Sequence, residues 1–272
     1  MNKILKGFTL KTKDNIQYLS CDAIERLGGF EHGFTIRKGG FSRKPYDSLN
    51  IGLHTDDRKA DVKRNIRSFE KAFGVRYVAA AHQVHGDRVV VVKGSKAQGS
   101  MLNVKKLQKT EADAIVTDVP GIAASVRVAD CVGTVIVDPV NRVVASVHSG
   151  WRGIANKIAV KAVKEMKRKF RSDPEKLIAA ISPAIGPCCY NVGKDVYKLQ
   201  KQSVFSNIFK RRNGNVYMDL WKGAKNLLVS AGLKRKNIHI CSLCTSDNPD
   251  MFFSHRRDSG KTGRMLVFGI IK

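Results

Sequence analysis

Three histidines and a cysteine stand where a reactive centre could be assembled. His82 and His85 fall in Ala81-His82-Gln83-Val84-His85-Gly86, Cys131 follows Val128-Ala129-Asp130, and His148 precedes Ser149-Gly150-Trp151-Arg152-Gly153. Each group lies at the end of a strand-like stretch, where side chains from distant parts of the chain can converge. Imidazoles and a thiolate suit zinc, with copper as second choice. Three protein donors would leave one position for water or substrate, the arrangement of a catalytic rather than a structural metal. The same residues also read as a Cys–His nucleophilic pair without metal, or as an ordinary buried thiol and hydrogen-bonded imidazoles. Spacing alone leaves these open.

The turn after His148 suits an anion. Its glycines let the backbone approach a ligand, a helix N-terminus offers free N–H groups, and Arg152 adds a guanidinium fork. The alternative is a strand-to-helix turn whose glycines serve geometry only. Thr35-Ile36-Arg37-Lys38-Gly39-Gly40 and Ser254-His255-Arg256-Arg257-Asp258 are further Arg-bearing loops. Cys241-Ser242-Leu243-Cys244 is a C-x-x-C with no second copy and no redox-type surroundings, so it reads as structural.

These residues need a framework of strands. Val89–Lys93, Ala112–Thr117, Thr134–Val137, Val143–Val147, Ile238–Cys241 and Met265–Ile271 are short strand-like runs. Ile122–Val128 alternates, with Ile122, Ala124, Val126 and Val128 on one face and Ser125 and Arg127 on the other. Apolar Ile154, Ile158, Ala162, Met166 and Phe170 recur every four residues, which predicts a helix from Ile154 to Phe170. A second helix is expected over Gly193–Phe205 and a third over Leu220–Ala231, stopped by Gly232. Gly94–Thr110 reads as an exposed loop or insertion, and Phe205–Asn215 as a basic hairpin or loop. With no internal repeat and no linker, the expectation is one α+β domain spanning residues 1–272.

Composition narrows the class. A 43% hydrophobic content is ordinary for a chain of 272 residues with a buried core. No apolar run suits a membrane span and the first residues do not read as an export signal, so a reducing cytoplasm is expected for the six cysteines. The net charge of +26 admits nucleic-acid binding. Because the cations are spread along the chain, a solvated basic surface that favours anionic substrates is the preferred reading.

Many ordered strings together resemble the bacterial laccase-domain family, named for multicopper polyphenol oxidoreductases and including zinc-dependent purine nucleoside phosphorylases. They run from Thr35–Ser42 and Pro45–Gly52 through Gln83-Val84-His85-Gly86, Ala112-Asp113-Ala114, Ala129-Asp130-Cys131 and His148–Gly153. They continue with Pro183–Tyr190, Asp219-Leu220-Trp221, Cys244-Thr245 and Phe252–Asp258 to Thr262-Gly263-Arg264. The resemblance implies a mixed-sheet α/β sandwich with flanking helices, and His85, Cys131 and His148 as metal ligands and catalytic residues, with His82 outside them. Zinc is the implied metal, copper the alternative. It also implies phosphorolysis of adenosine, inosine and methylthioadenosine with inorganic phosphate, alongside adenosine deamination. Arg37, Asn50, Arg152 and Arg257 are the residues expected to hold substrate or phosphate. Departures at Val132-Gly133, Asn191 and His255 leave the preferred nucleoside open. The rivals are a copper-dependent polyphenol oxidoreductase, for which seven histidines are few, and a metal-free Cys–His hydrolase.

Overall fold

β-Branched and small apolar residues dominate the central strands, and the computed structural model, which describes residues 5–94, 106–201, 205 and 207–272, stacks them in two sheets. Numbered along the chain, the strands are β1 Phe8–Lys13, β2 Ile16–Cys21, β3 Phe30–Thr35, β4 Tyr77–Ala79, β5 Val89–Val92, β6 Ala114–Thr117, β7 Ile122–Val128, β8 Val132–Asp138, β9 Val143–Ser149, β10 Ile178–Ile181, β11 Asn191–Val192, β12 Phe209–Arg212, β13 Asn215–Met218, β14 Ile238–Ile240 and β15 Met265–Ile271. One six-stranded sheet runs β1-β2-β3-β15-β7-β4, the other β14-β10-β8-β9-β6-β5, and β11-β13-β12 form a small third sheet. Both large sheets mix parallel and antiparallel pairs.

The expected sandwich is present. The apolar face of β7 (Ile122, Ala124, Val126, Val128) packs with Val135, Val137, Val144 and Val267 in one buried cluster between the sheets. The approach is close: a Cβ on Gly269 of β15 would lie 2.2 Å from Val144 Cγ2 of β9. Helices cover the outer faces. Ile158–Phe170 and Leu220–Ser230 bury Ile158, Ala162, Met166, Ala224, Leu227 and Leu228 against the second sheet. Lys59–Phe73 lays Phe69 and Phe73 onto Phe268 of the first. Each such fully buried large side chain contributes roughly 1.5–3 kcal/mol.

Two helix expectations are corrected. The stretch Ile154–Phe170 is not continuous: a short helix, Trp151–Ala155, ends at Asn156, and a new one begins at Ile158 after Lys157, whose φ of 58° is left-handed. The four-residue apolar spacing persists across the break because Ile154 and Ile158 both face the second sheet. In place of a helix over Gly193–Phe205, only Lys194–Tyr197 is α-helical and Lys198–Lys201 is a 3₁₀ turn; residues 202–204 lie outside the described residues. The basic segment is a hairpin, β12–β13, turning through Asn213 and Gly214 at φ 48° and 71°, as a two-residue type I′ connection requires. The expected loop Gly94–Thr110 falls largely on residues 95–105, outside those described.

Strand directions explain where the site forms. Val132 pairs with Ser149 and Ala114 with Val147 in antiparallel register, while Val89 pairs with Ala114 in parallel. The start of β8, the end of β9 and the starts of β6 and β5 therefore share one end of the sandwich. Cys131, His148, Asp113 and His85 occupy or adjoin those four ends.

Candidate active site

The structure brings His85, Cys131 and His148 together: one donor atom from each lies within 4.8 Å of the others. The two imidazole rings meet edge to face with centroids 4.8 Å apart. His148 is buried, Cys131 half-buried and His85 exposed, so the group opens onto a cavity of about 370 Å³, a size typical of small-molecule sites. Gly150 makes room for it. A Cβ there would lie 2.9 Å from Cys131 Sγ and 3.4 Å from His85 Nδ1.

Asp113, in the motif Ala112-Asp113-Ala114 but given no role by the sequence reading, organises the group. Its Oδ1 is 2.7 Å from His148 Nδ1. The same carboxylate accepts backbone N–H bonds from Val84, His85 and Gly86, the last at 2.7 Å. These bonds hold His85 at a left-handed φ of 59°, a conformation a non-glycine residue keeps only when its surroundings enforce it. A carboxylate only accepts, so His148 Nδ1 carries the proton and Nε2 is left with the lone pair that a metal or thiol proton needs.

The electrostatics match that arrangement. Burial pushes the Cys131 thiol up, but the positive charge and hydrogen bond of His148, with help from His85, outweigh it and bring the pKa down to about 6. Burial would lower His148, yet the Cys131 thiolate and the Asp113 hydrogen bond raise it to about 9. Asp113 is itself buried, which raises its pKa, and is held below the usual carboxylate value by His148 and the loop N–H groups. By themselves the two side chains form a thiolate–imidazolium pair near neutral pH.

Asp130, next to Cys131, is fixed as tightly. It sits at φ 95°, accepts from Thr245 Oγ1 and the Arg256 backbone N–H at 2.6 Å each, and its carbonyl accepts from Ile185. The Cys131 loop is thereby tied to two other loops at the same end. Gln83 trades hydrogen bonds with the Arg127 backbone N–H and carbonyl, which anchors the His85 loop to the end of β7.

Of the four residues expected to hold substrate or phosphate, Arg152 alone lines the cavity, joined there by Arg127, Arg256 and Arg264. Arg152 is exposed beside the Trp151 ring, 4.2 Å from its centroid. Arg37 lies elsewhere, bonded to Asp47 and Pro249 and facing a separate small hollow. Arg257 spends its guanidinium on Asp258, Thr245 and Phe252. Asn50 is fully buried, bonded to Thr55 and Asp57 and accepting from Gly52 and the Arg264 backbone; it positions the Arg264 strand entry. His82 pairs with His54, a cavity residue, at 3.1 Å. The helix that follows Gly150 has only five residues, so the expected long helix N-terminus is absent there. Arg256, beside the expected Arg257, is distinguishable from it only once the loop's hydrogen bonds are known.

A sequence profile of the multi-copper polyphenol oxidoreductase laccase family matches residues 31–272. The chain belongs to that family. Within it, the chain is 34% identical over 242 residues to a protein of Bacillus subtilis named purine nucleoside phosphorylase YlmD, covering 87% of this chain and 86% of the relative. It is 35% identical over 258 residues to the protein of that name from Geobacillus stearothermophilus, covering 92% and 93%. A crystal structure of YfiH from Bacillus licheniformis superposes with a TM-score of 0.85 at 32% identity, covering 97% of this chain and 99% of that one. The laccase-domain fold expected from the motifs is therefore the fold observed, and this chain carries at one end of it a Cys/His group that could hold a metal ion.

Proposed function

We propose that the protein is a zinc-dependent purine nucleoside phosphorylase that cleaves adenosine, inosine and methylthioadenosine with inorganic phosphate. The observation that carries this reading is a Cys–His–His donor set, with His148 buried at its base, opening onto a small-molecule cavity walled by arginines. The names of relatives about a third identical over most of the chain support it.

The donor set fits a catalytic metal. It has one thiolate and two imidazoles, and the buried imidazole is oriented by a carboxylate, as metal-ligating histidines commonly are. A zinc ion held by His85, Cys131 and His148 would supply Lewis acidity to a departing base or to water. The remaining work falls to the chain. Breaking an N-glycosidic bond builds positive charge on the ribose, as in glycoside hydrolysis, so a phosphate held by guanidinium groups can serve both as nucleophile and counter-charge. Arg152 and Arg256 are exposed and line the cavity, and each can fork onto phosphate oxygens. Trp151 and Tyr190 supply aromatic faces beside them, suited to a purine. The same centre suits hydrolytic deamination of adenosine, in which activated water attacks the purine.

Incubation with inosine and phosphate tests the proposal. Hypoxanthine and ribose 1-phosphate should form, formation should stop with a chelator and return with zinc, and His148→Ala should abolish it. Turnover that survives chelation and dies on thiol alkylation would replace this reading with a metal-free Cys–His hydrolase.

A further inference from the structure

A second group of soft donors lies outside this site. Cys188 and Cys189, in the turn Gly186-Pro187-Cys188-Cys189, gather with Cys244 and Asp247, and one donor atom from each of the four lies within 4.8 Å of the others. The sequence paired Cys244 with Cys241, but Cys241 is buried in the cluster between the sheets and Cys244 turns away from it to the second group. All the cysteines are free. Two sulfurs bound tetrahedrally at about 2.3 Å sit about 3.8 Å apart, so the four donors need close by only on the order of an ångström to share one ion.

All three sulfurs are already hydrogen-bonded, Cys244 as acceptor and Cys188 and Cys189 as donors. The Gly186 backbone N–H donates to Cys244 Sγ at 3.2 Å. The Cys188 and Cys189 thiols donate to Asp247 Oδ2 and Oδ1 at 3.0 and 2.8 Å, protons that an ion would replace. Gly186 is required here. A Cβ would fall 3.0 Å from Cys188 Sγ and 3.1 Å from the Trp221 ring.

We propose that Cys188, Cys189, Cys244 and Asp247 form a second metal site that takes zinc as a structural ion. Binding joins one Zn²⁺ to three thiolates and one carboxylate and releases three thiol protons. The complex carries two net negative charges, close to the Arg212 guanidinium that holds the Cys188 carbonyl at 2.9 Å. Four protein donors with no position left over make a closed, structural site. The ion would staple the loop before Tyr190 to the loop after β14, which already touch through the Ala184–Cys244 bridge. Both loops reach the active site in the next residue: Tyr190 lines the cavity, and Thr245 holds Asp130.

Metal analysis of the unmodified protein, expressed with zinc and desalted, tests this first. The expected result is two zinc ions per chain; a single ion that is lost in His85→Ala/His148→Ala would overturn it. His85→Ala/His148→Ala should retain one, and in that background Co²⁺ should give the intense sulfur-to-cobalt absorption of a thiolate site. Adding Cys188→Ser and Cys189→Ser should remove both the ion and the absorption. Cobalt absorption that persists without those two sulfurs would overturn the proposal, as would a disulfide among residues 188, 189 and 244 in peptide mass maps of the natively purified chain.

Discussion

Asp113 and His148 meet at 2.7 Å, carboxylate to Nδ1, and the same carboxylate gathers the backbone of Val84, His85 and Gly86. One side chain thus orients a candidate ligand on β9 and shapes the loop that carries another. Asp113→Asn keeps the size and removes the charge. It should weaken zinc binding by about 10–100-fold, the usual cost of losing a carboxylate behind a metal-ligating histidine. Chelator competition measures this directly; an unchanged zinc affinity would show that Asp113 serves folding alone.

Gly150 has an ordinary φ of −76°, so alanine there strains no backbone torsion. Its methyl group would instead press on Cys131 Sγ at 2.9 Å and His85 Nδ1 at 3.4 Å. Gly150→Ala should therefore lower zinc occupancy at this centre and phosphorolysis together, with little change in the melting temperature of the metal-free protein. Metal analysis beside a thermal melt separates the two effects.

The charge state of Cys131 offers a test at equilibrium. Its pKa of about 6 lies below the ordinary thiol value of 9.0, so the sulfur loses its proton as pH rises through about 6 and is thiolate at neutrality. In metal-free protein its alkylation rate should climb through a midpoint near pH 6 and level above it, since the thiolate is the nucleophile. Cys188 and Cys189 are shifted the other way, by burial and then by Asp247, and should lag far behind at pH 7. His148→Ala should move the Cys131 midpoint upward toward 9, and zinc should protect the residue. Peptide mass mapping across pH reads all of these.

Much of this architecture was legible in the sequence where burial is periodic. The alternation from Ile122 to Val128 named the face that now lies between the sheets, and the ends of the strand-like runs marked where Cys131 and His148 would be found. Periodicity could not register the left-handed Lys157, because Ile154 and Ile158 keep their spacing through the break. The strands β1 to β3 and the Lys59–Phe73 helix were not identified, although that helix buries Val62, Asn65, Phe69, Ala72 and Phe73 along one side. Asp113 was invisible as an organiser for another reason. Its partners are 27 to 35 residues away in the chain, and only the folded register of β6 against β9 puts them together. The cluster around Cys188 depends likewise on the loop that returns Cys244 beside Ala184.

The arginines give the sharpest division between what motif and fold imply. Arg37, Arg152 and Arg257 all belong to Arg-bearing motifs, yet of the three only Arg152, in the short helix Trp151–Ala155, lines the cavity, while Arg37 and Arg257 are tied to Asp47 and Asp258. A charge-assisted hydrogen bond contributes about 1.5–3 kcal/mol. Arg152→Ala should therefore raise the KM for phosphate by about tenfold or more, leaving zinc content unchanged. Arg256→Ala should act in the same direction, although its backbone N–H stays on Asp130. Arg37→Ala should leave the phosphate KM near the parent value, because its guanidinium faces a different hollow. Arg257→Ala should cost stability, through the loss of its bonds to Thr245 and Phe252, more than phosphate affinity. Initial rates at varied phosphate with saturating inosine, set beside thermal melts, test the whole series. A large phosphate effect at Arg37 with none at Arg152 would reverse the assignment and move the anion site to the other end of the loop cluster.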